Sequence, residues 1–169
     1  DFMSALQNDE ITFYLQPQCR AKTGKIVGAE ALARWIKKDG TQIPPAVFIP
    51  VLEKYNFITD LDQYIWEKVC KSLKHWLDSG HIAVPVSINV SRIDIYNFDI
   101  ANYIRDLTDK YEIPHRLIKV EITESAYAET VNIIEDIVSR LRKDGFEVLM
   151  DDFGSGYSSL NMLSTIKLD

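Results

Sequence analysis

The sequence predicts an α/β fold of the TIM-like (β/α)8 barrel type, incomplete within its 169 residues. Three observations predict it. Runs rich in β-branched and aromatic residues alternate with helical patterns of about 10 to 15 residues, the mark of βαβ units around a parallel sheet. Glu30, Asn89, Glu121 and Asp151 each stand at or near the end of a different run, and a barrel gathers the carboxyl ends of all its strands on one face. Finally, "LQPQC" after the first run is not the glycine-rich phosphate loop that usually announces a doubly wound sheet. Only five or six strands can be counted, whereas a complete barrel takes about 250 residues, so its last strands and helices are expected to be missing from this chain.

Each element follows from local chemistry. "ITFYLQPQ" from Ile11 and "IVGAEALARW" from Ile26 are strand-like and flank "AKTGK", whose Thr-Gly is a turn signal, so they predict a hairpin. "IPPAVFIPVLEKYN" has helical spacing from Val47 to Leu52, with prolines at its start, where a missing N–H is harmless. The next helix is expected to open with Thr59 or Asp60 as N-cap. It stacks Leu61, Ile65, Val69, Leu73 and Leu77 at four-residue steps and meets Gly80 as its stop. "IAVPVSINV" reads as a strand and "FDIANYIRDLTDKY" as a helix; after Pro114, "LIKVEITES" reads as a strand. "TVNIIEDIVSRLRKDG" is a helix with Ile134, Ile137, Val138 and Leu141 inward and Gly145 past its end; "FEVLM" is a strand and "YSSLNMLSTI" a last helix. No linker divides the chain, which reads as one cooperative unit.

Composition excludes several classes of function. With 46% hydrophobic and 26% charged residues the chain can bury a sizeable core. A net charge of −6, with no basic run beyond Lys37 and Lys38, argues against a nucleic-acid polymer as partner. No apolar stretch approaches the roughly 20 residues of a bilayer span. Cys19 and Cys70 have neither the count nor the spacing of a disulfide framework or zinc site, and His75, His81 and His115 stand in no metal-binding pattern. A cytoplasmic domain is the expectation, with any membrane attachment elsewhere in the parent protein.

Three carboxylates and one amide make an all-oxygen set that suits Mg²⁺ or Mn²⁺ better than zinc. Spacing alone leaves two readings equally open: a cluster, or four groups spread around the molecule in local hydrogen bonds. A second Asp, Asp152, follows Asp151 directly before a glycine-rich turn. "DFG" here belongs to no kinase pattern, since no "VAIK"-like strand and no "HRD" precede it, and "GSG" is no P-loop.

"EAL" at Glu30, Ala31 and Leu32, "INVS" with Asn89, "VEITES" with Glu121 and Glu124, and "DDFGSGYSSLNML" from Asp151 occur in that order after "YLQPQ". Together they resemble the EAL domain of bacterial cyclic-di-GMP signalling, over essentially the whole chain, 1–169, as about the N-terminal two thirds of such a domain. The resemblance implies a barrel whose first strand runs antiparallel, in agreement with the hairpin. It implies metal-dependent hydrolysis of cyclic-di-GMP to linear pGpG; the alternative is a catalytically inactive cyclic-di-GMP receptor. Carried over, Glu30, Asn89, Glu121 and Asp151 hold a first Mg²⁺ or Mn²⁺, and Asp151 bridges to a second ion also bound by Asp152. Glu30, Asp151 and Asp152 are then catalytic, and Glu124 anchors the "DFGSGYSS" loop, through Ser158. Gln16, Leu32 and Arg34 match substrate-binding positions. "STIKLD" aligns so that Lys167 falls on a proline position; the family's catalytic lysine and a further acidic ligand are expected beyond Asp169, which implies that these residues alone are inactive. A homodimer and a GGDEF-type or sensory domain in the parent chain are compatible with the family.

Overall fold

The computed structural model describes residues 1–123 and 131–151. Strands β1 (Ile11–Cys19) and β2 (Ile26–Ile36) form the expected antiparallel hairpin, turning through Gly24 at φ 66°. Their register sets Gln16 opposite Glu30 and Gln18 opposite Gly28. A two-residue strand, β3 (Gln42–Ile43), pairs with the far end of β2. Three parallel strands follow in sheet order from β2: β4 (Val86–Val90), β5 (Ile118–Thr123) and β6 (Glu147–Asp151). The expected class holds: an α/β fold with a parallel sheet and an antiparallel first strand.

Helix α1 (Phe2–Gln7) precedes β1, and α2 (Pro45–Lys54) and α3 (Ile58–Asp78) link β2 to β4. Helices α4 (Arg92–Asn97) and α5 (Ile100–Lys110) then lead to β5, and α6 (Val131–Lys143) to β6. Alternate strand residues face opposite ways. Ala29, Ala31, Val86, Ile88, Val90, Ile118, Val120, Ile122 and Val148 belong to the buried core, shared with α3, α5 and α6. The residues between them, Glu30, Ser87, Asn89, Lys119, Glu121 and Glu147, make the other face polar.

The predicted stripe of α3 is core: Leu61, Ile65, Val69 and Leu73 are buried, and Leu77 packs against the margin. Its start differs from the expected N-cap at Thr59 or Asp60. The helix begins at Ile58 with Phe57 as cap residue and no side-chain cap bond. Tertiary packing replaces the cap, since Ile58 is buried and the Phe57 ring lies 5.8 Å from that of Phe2. β4 likewise starts at Val86, not Ile82, which is 98% exposed. Pro85 has no N–H for a ladder and contributes only its carbonyl, which accepts from the Ala29 amide at 2.9 Å. Helices α1 and α4 and strand β3 are additions to the sequence reading, and the expected last helix lies outside the described residues.

Candidate functional site

Four strands bring the site together. Glu30 is not at the end of β2, as the sequence suggested, but in its middle. It is nevertheless where the parallel ladder with β4 stops: β2 pairs with β4 only at Ala29 and Glu30. Beyond that point β2 leans away with β1 and β3, opening a cleft above β4. Into this opening the Asn89 amide donates from Nδ2 to Glu30 Oε1 at 3.0 Å. Asn89 is itself anchored through its carbonyl, which accepts from the buried Trp66 indole N–H at 3.0 Å. Glu121 stands level with Asn89 on β5, only 5% exposed, and accepts from Gln18 Nε2 at 3.2 Å. Asp151 ends β6 beside Thr123, at the same end of the sheet.

Strand periodicity sets Leu32 and Arg34 on the face of Glu30, two and four residues further along β2. They line a cavity of about 340 Å³ with Ile49, Asp62 and Asn89. The Arg34 guanidinium lies over the Tyr14 ring at 5.3 Å, and its Nη1 donates to the Ala33 carbonyl at 2.8 Å, so its plane is fixed before any ligand arrives. Gln16 is exposed on β1 opposite Glu30 and outside that cavity's lining. Glu124 and Asp152 lie outside the described residues.

The turn after β4 is held by a carboxyl pair that the sequence reading missed. Ser91 donates from its N–H (2.9 Å) and hydroxyl (2.6 Å) to Asp94 Oδ2, and the Asp94 N–H donates back to Ser91 Oγ at 3.1 Å. This capping box opens α4 and was available in "SRID" as Ser-x-x-Asp. Asp94 is completely buried. Withdrawal from water, and then the neighbouring Asp94 carboxylate, push Asp62 well above the usual carboxylate range. Asp94 Oδ1 is buried without a hydrogen-bond partner, so the two carboxyl groups share a site short of donors. Gln18 also escaped the sequence reading, because its partner Glu121 is 103 residues away.

The EAL domain model matches residues 1–169. The chain belongs to the EAL domain family. It is 37% identical over 159 residues to the signalling protein YkoW of Bacillus subtilis, covering 94% of this chain and 20% of YkoW. It is 36% identical over 165 residues to the probable cyclic di-GMP phosphodiesterase PdeB of Escherichia coli, covering 98% of this chain and 32% of PdeB. The EAL chain thus spans a third or less of those curated relatives. The solved structure of the PaMucR phosphodiesterase in complex with c-di-GMP superposes with a TM-score of 0.91 at 27% identity, over 100% of this chain and 68% of that one. The EAL fold is TIM-barrel-like, so the sheet of β1 to β6 is a partial barrel.

Proposed function

We propose that the protein carrying this EAL domain hydrolyses cyclic-di-GMP to linear pGpG with Mg²⁺ or Mn²⁺. The observation that carries this reading is the 3.0 Å bond between Asn89 Nδ2 and Glu30 Oε1, with Glu121 level with Asn89 on the next strand. Because the Asn89 amide spends its nitrogen on Glu30, the group turned elsewhere is its oxygen, Oδ1. Two carboxylates and one amide oxygen from adjacent strands suit a hard divalent cation. No cluster of three or more His, Cys, Asp or Glu occurs among the described residues, so the set needs the neutral Asn89 and, by its place at the end of β6, Asp151. Asp152 completes a second ion site in this reading, and Glu124 steadies the loop that carries it.

The cations supply charge neutralisation at the phosphoryl oxygens and an activated water when bound. The chain's own residues bind and orient. Arg34, pre-set over Tyr14, offers a planar fork to a phosphate or guanine edge. Leu32 gives the same cavity an apolar wall, and Gln16 adds an amide from β1. The test is turnover of cyclic-di-GMP by the full-length protein. Dependence on Mg²⁺ or Mn²⁺, pGpG as product and loss of turnover in Glu30→Ala are expected. Undiminished turnover in Glu30→Ala, or in excess chelator, would overturn the reading. Tight nucleotide binding with no turnover at any metal concentration would replace it by the receptor alternative.

A further inference from the structure

We propose that Gln18 is a positioning residue for the Glu121 carboxylate, and that Gly28 lacks a side chain in order to let it act. The inference rests on the metal reading above. Gln18 comes from the antiparallel strand β1 and stands two ladder positions below Glu30, opposite Gly28. Its Nε2 donates to Glu121 Oε1 at 3.2 Å and lies 3.5 Å from Ser87 Oγ, so one amide group spans β1, β4 and β5. A carboxylate buried to 5% exposure has few rotamers to explore, and a donor on Oε1 fixes the rotation of its plane. Support of this kind sets how a ligating carboxylate meets its ion.

Gly28 carries independent information. It is not one of the glycines at positive φ, so backbone conformation does not require it. A Cβ built there would stand 3.0 Å from Gln18 Oε1 and 3.2 Å from the Pro85 carbonyl oxygen. The far end of Gln18 can move aside, whereas the Pro85 oxygen, which accepts from the Ala29 N–H, can give only by disturbing the join of β2 to β4. The glycine thus reserves the space through which the amide reaches Ser87 and Glu121.

The experiment is calorimetric titration of Mn²⁺ into the full-length protein without nucleotide, beside thermal melts of the metal-free forms. Wild type and Glu121→Ala establish that the metal reading holds; wild type that binds no Mn²⁺, or Glu121→Ala that binds it equally well, overturns that reading and this inference together. Given a functioning site, Gln18→Met, which fills the same space without a donor, should bind Mn²⁺ about 10 to 100-fold more weakly, the usual cost of losing such support. Gln18→His, which keeps an N–H donor at similar reach, should recover most of the affinity. Gly28→Ala should weaken binding as well, and should cost less in the Gln18→Met background than in wild type, because part of its effect acts through the amide. Gln18→Met binding within about twofold of wild type would overturn the proposal, as would equal losses in Gln18→Met and Gln18→His. Should Gln18→Met not fold, Gln18→Leu takes its place in the same comparison.

Discussion

The Asp62 carboxyl is driven by the fold well above the ordinary carboxylate range, through burial first and the neighbouring Asp94 second. Its ordinary value is 3.8 and the fold raises it, so the folded state holds the proton more tightly than the unfolded chain does. The stability it contributes is complete below about 3.8 and is lost as pH rises toward the raised folded value. Asp62→Asn should remove that loss, since a neutral amide beside Asp94 has no proton to give up as pH rises. Melting temperatures of wild type and Asp62→Asn should therefore diverge in favour of the variant as pH rises from about 4 to 8. A constant difference across that range would show that Asp62 carries no proton in the folded state. The two thiols provide a second check. Burial, chiefly, pushes Cys70 up to about 12, while Cys19 is exposed. A thiol reagent at neutral pH should label Cys19 in the native protein and reach Cys70 only on unfolding; rapid native labelling at both would contradict this burial.

Among the elements, α5 shows how one side chain can serve two. Asp99 caps it, accepting from the Asn102 N–H at 3.1 Å, and also receives Arg140 Nη2 of α6 at 2.7 Å. Asp99→Ala should cost about 1 kcal/mol for the lost cap alone, and Asp99→Asn, which can still cap, should cost less; equal losses on chemical denaturation would assign the effect to Arg140 rather than to the cap. Such contacts mark where the sequence was legible and where it was not. The α3 stripe could be read because the period of the helix itself writes Leu61, Ile65, Val69 and Leu73 at four-residue steps. The start of that helix could not, because Phe57 is fixed by a ring from α1 and not by any local capping chemistry. Ile82 is β-branched and strand-like by composition, yet no neighbouring strand reaches it ahead of Pro85. For the candidate site, the order of motifs pointed to Glu30, Asn89 and Glu121, which the fold sets side by side. Gln18 and Asp62 act only through partners distant in sequence, and no local pattern singles them out.

Across the whole molecule, the sheet is unequally secured. β5 is paired with β4 and β6, and β4 with β5 throughout and with β2 at Val86 and Ser87, each with an apolar face covered by helices, whereas β1 has one strand partner, β2, among the described residues. Amide exchange should accordingly be slowest at Val86–Val90 and Ile118–Thr123 and faster at the β1 amides that point away from β2. β1 amides as slow as those of β5 would reveal a further neighbour along that edge.

The two-faced strands also shape how the gene can change. Along β4, Val86, Ile88 and Val90 answer to the core while Ser87 and Asn89 lie on the polar face, and β5 repeats the alternation with Val120 and Ile122 against Lys119 and Glu121. A random-substitution library should therefore separate into two kinds of failure with a period of two: protein that disappears from the cell, then protein that accumulates but does no work. Adjacent codons along these strands thus answer to different physical demands, packing at one position and the polar face at the next.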